Sequence, residues 1–421
     1  MTSFCGLDFG TSNSALSVWQ GNAPLLVPAE GAHTTLPSAI FYPFDGQSPE
    51  LGREAVETYI EEGEGRLLRG LKSILGTTLF DETARSGRTH VRFPDAIGLI
   101  INRLKQSGEA IVDTPIEAAV IGRPVHYVGA GPDVEERALS NMTAIAHQCG
   151  IKTVAFQYEP IAAALHYESS LSNEQTVLIV DIGGGTSDFS VVRVGAGRAQ
   201  TVDRSADILA NHGLKLGGTN FDSQFSRATA MPYLGYGHQI RRDFGDDLTE
   251  TPPSIYIDLS LWHRILFAYS PENQRIAQEL RKLAIDRTPF ERLLNVMEQR
   301  LAHAIAAQVE AAKIALSQAD ATTIDLSLVE RDLTVAATAD QLRGALSSPL
   351  AKLTAGIDET LGMAGLNDAG VDAVLMTGGA SQTTALIELM AARFGAERLI
   401  HHDAFGSVAL GLAIDAKRRF A

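Results

Sequence analysis

The feature that most constrains this chain is a short unit that occurs twice. Near the N-terminus the apolar run Phe4-Cys5-Gly6-Leu7 ends in Asp8-Phe9-Gly10-Thr11-Ser12-Asn13 and resumes as the alternating Ala15-Leu16-Ser17-Val18-Trp19. Later, Thr176-Val177-Leu178-Ile179-Val180, rich in β-branched side chains, ends in Asp181-Ile182-Gly183-Gly184-Gly185-Thr186-Ser187-Asp188 and resumes over 189–194. Both read as strand, glycine turn, strand. A third strand, 373–376, runs into Thr377-Gly378-Gly379-Ala380-Ser381 and opens a helix expected over 384–394. A chain carrying one unit twice is expected to fold as two related halves. Helices predicted over 95–107 and 133–148 flank a buried strand at 118–122, and this alternation places the chain in the α/β class. The stretch 25–94, punctuated by proline and glycine, reads as an inserted subdomain, and the alanine-rich 290–317 as one long helix.

The turns suggest a chemistry. A triphosphate needs backbone N–H groups approaching from several directions, and glycine allows that approach because it has no side chain and tolerates positive φ. Asp8 and Asp181 each stand two residues before a turn glycine, where a carboxylate can hold a hydrated cation beside phosphates. Mg²⁺ suits that role, since it keeps several waters and takes few carboxylates. Ordinary hairpin turns are the competing reading of any one such turn.

Composition narrows the partners. With 50 acidic and 35 basic residues in 421, the net charge of −15 has the wrong sign for the phosphate backbone of nucleic acid, so no nucleic-acid partner is expected. Two cysteines, Cys5 and Cys149, cannot make a disulfide framework or a four-thiolate metal site, which points to a reducing, cytoplasmic setting. Neither a leader nor an apolar run of membrane-spanning length is expected. The sequence contains no GxxxxGK[ST], HExxH or GxSxG pattern.

On these motifs the chain resembles the nucleotide-binding domain of the DnaK-type heat-shock 70-kilodalton chaperones, within the actin and sugar-kinase ATPase superfamily. The likeness covers nearly the whole chain and is nearest to the short YegD-type members. It rests on the phosphate-loop-like turns at 8–13 and 181–188, on Glu159-Pro160-Ile161-Ala162-Ala163-Ala164, on Leu216-Gly217-Gly218-Thr219-Asn220-Phe221-Asp222, and on the adenosine-like motif Thr377 to Ser381. The fold it implies is actin-like: two duplicated lobes, 1–170 and 171–421, with mixed sheets flanked by helices and with insertions at about 25–94 and 220–319. The ligands it implies are ATP or ADP with Mg²⁺, and possible K⁺.

The resemblance also implies site roles. Lys72, in Leu71-Lys72-Ser73-Ile74-Leu75-Gly76, corresponds to a lysine that reaches the γ-phosphate and the attacking water. Glu159 corresponds to a carboxylate ordering water around the metal, Thr186 to a hydroxyl near the γ-phosphate, and Asp8, Asp181 and Asp188 to metal-associated carboxylates, Asp188 with a monovalent cation. Nucleotide contacts are implied for Gly10, Thr11, Ser12, Asn13, Gly183, Gly184, Gly185, Gly217, Gly218, Gly378, Gly379, Ser381 and Asp403. Glu310, Lys313 and Ser317 fall on one helical face, as a ribose and adenine edge requires; an exposed i, i+3 ion pair is the alternative.

The pattern breaks in two places. Where the family flanks adenine with two arginines this chain has Ile314 and Gln382, so weaker or less base-selective binding is expected. No peptide-binding domain follows the ATPase region within the 421 residues, so peptide clamping in the family's usual way is not expected. The expected activity is Mg-dependent ATP hydrolysis, with a co-chaperone or client as partner and no membrane. A nucleotide-responsive module with little turnover and a small-molecule kinase are the alternatives.

Overall fold

The computed structural model describes residues 3–421 apart from 63, 88, 128–130, 199–200, 242–246 and 401–405. The chain forms two compact units. The first takes in the chain up to Leu214 together with Gly356–Ser381 and Met390–Ala421; the second is Lys215–Ala355 with Gln382–Leu389.

The first unit holds two sheets built on one plan. Strands β1 (Ser3–Phe9), β2 (Asn13–Gln20), β3 (Ala23–Leu26), β4 (Ile116–Arg123) and β5 (Thr153–Tyr158) run in the order β5-β4-β1-β2-β3, with Leu36–Pro37 added beside β2. Strands β6 (Gln175–Ile182), β7 (Ser187–Val194), β8 (Ile208–Leu214), β9 (Ala373–Thr377) and β10 (Leu399–Ile400) run in the order β8-β7-β6-β9-β10. In each sheet the first three strands form an antiparallel meander and the last two add in parallel. The copies agree to the residue at the turn: Asp8 pairs with Ala15, and Asp181 pairs with Asp188, so each turn encloses the same length of chain. Two copies of one mixed topology flanked by helices constitute the actin-like ATPase fold.

Helices join and cover the sheets. Helix α1 (Phe93–Val112) starts with Pro94 in its first turn and buries Ile97, Ile100, Ile101 and Leu104 at helical spacing against the first sheet. Helix α2 (Pro132–Gln148) packs beside α1. Helix α3 (Glu159–Glu168) leaves the first sheet and lies on the second, while α6 (Ser407–Phe420) leaves the second and lies on β1, β2 and β4. These two helices touch along their length. Their approach is so close that a Cβ on Gly411 would collide with the Ala162 carbonyl oxygen.

The second unit is mainly helical and includes α4 (Gly218–Ala228) and α5 (Ala302–Ala315). The long helix expected over 290–317 is in fact two, Thr288–Glu298 and α5. The break needs neither glycine nor proline. Arg300 adopts a left-handed φ of 57°, Leu301 N donates to Val296 O at 3.0 Å, and this six-residue bonding pattern ends the first helix. The helix expected over 384–394 forms over those residues. Among the described residues no helix is long and apolar enough to cross a membrane.

Candidate active site

The two glycine turns of the first unit face one another. The β1–β2 turn is tight enough that a Cβ on Gly10 would run into the Asn13 carbonyl oxygen. Ser38 fastens this turn from behind: its hydroxyl donates to Gly10 O at 2.7 Å and its N–H to Ser12 O at 2.8 Å. The β6–β7 turn closes through Gly183 N donating to Thr186 O at 2.9 Å. A Cβ on Gly184 would collide with the Ser12 hydroxyl of the other turn. Gly184 therefore lies directly against Ser12, and the two turns meet there.

Beneath the turns lies a cluster of like charges. Asp181 and Asp188 are direct cross-strand partners, an arrangement that costs free energy when both are ionised. Burial is the main cause that raises Asp181 to about 7, with the charges of Asp188 and Glu159 adding, and with Lys72 and the Thr377 hydroxyl opposing. Asp8 is likewise raised to about 7, first by burial, with Glu159 and Asp181 adding and Lys72 opposing. Burial and then Glu159 raise Asp188 to about 6.

Lys72 is the cation that faces them. It sits on a single 3-10 turn, Leu71–Ile74, after Gly70 in a left-handed conformation, and its Nζ lies 2.6 Å from Glu159 Oε1. Burial opposes its charge, but Glu159 and then Asp8 more than offset that, so the ammonium is held above its ordinary range. Glu159 opens α3, and Gly122 makes room for it, since a Cβ there would come within 3.3 Å of the Glu159 Cγ. Glu159, Asp181, Asp188 and Thr377 line a pocket whose apolar walls include Pro124, Val125, Pro160 and Val408.

Three of the expected contacts show a second employment. Ser381 is fully buried and donates both its N–H, at 3.1 Å, and its hydroxyl, at 2.7 Å, to Gly378 O, so it shapes the Gly378–Gly379 turn. In the second unit Gly217 precedes α4 and Gly218 opens it, the Gly217 N–H donating to Asn220 Oδ1 at 2.9 Å. Lys313 on α5 is buried and paired with Asp222 Oδ1 at 2.6 Å. Asp222 was legible only as the last residue of the Leu216–Asp222 motif; burial raises it to about 6, with Lys313 opposing and Glu310 adding. Glu310 and Ile314 are exposed on α5, and Ser317 follows its end, half-buried. Asp403 lies outside the described residues.

Two residues that shape the site escaped the sequence. Ser38 sits in a stretch with no motif, and only its return to the first turn marks it. Tyr127 is buried near the Lys72–Glu159 pair, and burial, with Glu159 adding and Lys72 opposing, pushes its phenol up to about 12.

The sequence is similar to those of known proteins. The family described as Hsp70 protein matches residues 92–234, a span holding Glu159, both strands of the second turn, Asp181 and Asp188. The chaperone protein DnaK3 of Thermosynechococcus vestitus is 27% identical over 352 residues, which is 77% of this chain and 49% of that protein. Over residues 92–234 the chain is similar to the Hsp70 family. It spans about half the length of the curated relative it matches. Among the described residues no three His, Cys, Asp or Glu side chains gather as direct ligands of one metal ion. Buried carboxylates that repel one another yet do not converge fit a hydrated Mg²⁺ held through its waters.

Proposed function

We propose that the chain binds ATP with Mg²⁺ at the facing turns of the first unit and hydrolyses it to ADP and phosphate. The observation that supports this best is the Lys72–Glu159 pair, 2.6 Å apart and largely buried, among the raised carboxylates Asp8, Asp181 and Asp188. A buried cation amid excess buried carboxylate has little structural merit by itself, and such perturbed groups cluster where chemistry occurs.

The roles follow from the residues. Backbone N–H groups of 10–13 and 183–186 are suited to phosphate oxygens, and the Thr186 hydroxyl, exposed at the tip of its turn, adds a donor. Lys72 carries its positive charge to the phosphoryl group, where charge builds as the bond to the leaving group loosens. Glu159 fixes the Lys72 ammonium through Oε1. Asp181 or Glu159 is suited to orient the attacking water. Asp8, Asp181 and Asp188 would hold the hydrated metal, which when bound neutralises phosphate charge; the same acidic pocket suits a monovalent cation such as K⁺ at Asp188. From the family resemblance alone we also assign nucleoside contacts to Glu310, Lys313 and Ser317 and phosphate contacts to Gly217 and Gly218. We assign Gly378 and Gly379 to the adenosine-facing turn, and the two lobes to 1–170 and 171–421. A co-chaperone or client partner and a cytoplasmic location accord with the family.

The test is phosphate release with Mg-ATP. Wild type should release phosphate, and Lys72→Ala should slow release by about 100-fold or more. Equal release by both proteins would remove Lys72 from the reaction and with it this reading.

A further inference from the structure

The two sheets end differently on their parallel strands, and the difference singles out an arginine. Leu7 pairs with Ile121 and Val180 with Met376, so the strand positions beside Asp8 and Asp181 are Gly122 and Thr377, and the next are Arg123 and Gly378. In the second sheet the strand gives way to glycine with φ 78°. In the first the strand runs on to end in an arginine whose side chain is only 13% exposed and turns back on the loop that follows.

Arg123 makes contacts with three elements: the loop 124–127, α2 and β5. Its Nε donates to Pro124 O at 3.2 Å and its Nη2 to Val125 O at 3.4 Å, while Nη2 also pairs with Glu135 Oε2 on α2. The other oxygen of Glu135 accepts the Tyr127 N–H at 2.9 Å. One guanidinium and one carboxylate thus hold both ends of the loop 124–127. The guanidinium also lies 4.8 Å from the centre of the Tyr158 ring and 5.8 Å from that of Tyr127. Tyr158 is the strand partner of Arg123 and the residue immediately before Glu159. The loop walls the acidic pocket through Pro124 and Val125, and the Tyr158 junction sets where α3 and Glu159 begin.

We infer that Arg123 is a positioning residue for the reaction proposed above, holding the loop 124–127 and the Tyr158–Glu159 junction so that Glu159 keeps Lys72 in place. The inference rests on the ATPase reading for its kinetic consequence, but not for its structural one. A rigid, planar fork stacked on aromatic rings suits this task, and a lysine cannot reproduce it. A displacement of about 1 Å at a catalytic group, even from a remote change, can cost about 100-fold in rate.

Two measurements on the full chain decide it. In Arg123→Lys and Glu135→Gln, amide hydrogen exchange at Val125, His126, Tyr127 and Glu159, followed without nucleotide, should quicken, while Lys72→Ala leaves those amides as in wild type. In the same two variants kcat for ATP should fall about 10- to 100-fold with KM within about threefold of wild type. Unchanged exchange at those amides, or unchanged kcat in a protein that hydrolyses ATP, would overturn the inference. So would a loss of thermal stability with full kcat in the folded protein, which is the signature of a purely structural arginine. Should wild type release no phosphate, the ATPase reading falls by itself, and the exchange pattern alone decides whether Arg123 positions Glu159.

Discussion

At the scale of single residues, the site is held together by groups that would repel or desolvate one another without a ligand. Asp181 faces Asp188 across the strand pair and is buried with Asp8 and Glu159 nearby. Replacing Asp181 with asparagine removes one charge and keeps the shape. Asp181→Asn should therefore melt at a higher temperature than wild type in metal-free buffer at neutral pH, by about 1–3 °C, while losing ATP hydrolysis. Differential scanning fluorimetry in EDTA checks the first part; an unchanged or lower melting temperature would count against the charge cluster. Asp222 gives a pH test in the second unit. Its folded value of about 6 lies above the ordinary carboxylate range, so between the two the folded state holds more proton than the unfolded one. The stability tied to that proton is present below the ordinary range and is lost as pH rises through about 6. Asp222→Asn should flatten the fall in melting temperature between pH 4 and pH 6.5 relative to wild type, and curves that stay parallel would refute it. Much of this scale was legible in advance: Asp8, Lys72, Glu159, Asp181 and the glycines stand in recognisable local patterns. Ser38, Tyr127 and Arg123 were not, because they act through folded-state contacts that no spacing records.

At the scale of elements, the duplicated strand–turn–strand unit told most of the fold, since a turn of fixed length with a carboxylate before it returns in both sheets with the same register. The helix break at Arg300 was hidden because the signal there is a backbone bonding pattern on a residue of no special propensity. Gly411→Ala would drive a methyl group into the Ala162 carbonyl oxygen where α6 crosses α3, and should destabilise the protein by about 1–3 kcal/mol in denaturant unfolding. A neutral result would mean that the two helices do not meet as closely as described. Gly184→Ala makes a collision of a different kind, with the Ser12 hydroxyl. It should weaken nucleotide binding, and Ser12→Gly in the same chain should restore part of the loss. A double-mutant cycle measured by calorimetry reads the coupling, and additive losses would separate the two turns.

At the scale of the whole molecule, the net charge of −15 would repel a bare triphosphate, so the ligand proposed above would arrive with its own cation. The most direct test of the account is single-turnover release of phosphate from ATP, in Mg²⁺ and in EDTA, by wild type and Lys72→Ala, with nucleotide binding measured on the same samples. The account predicts Mg-dependent release by wild type, release slower by about 100-fold or more in Lys72→Ala, and binding retained by both. Release that is equal in the two proteins, or absent from wild type that binds Mg-ATP, would contradict it.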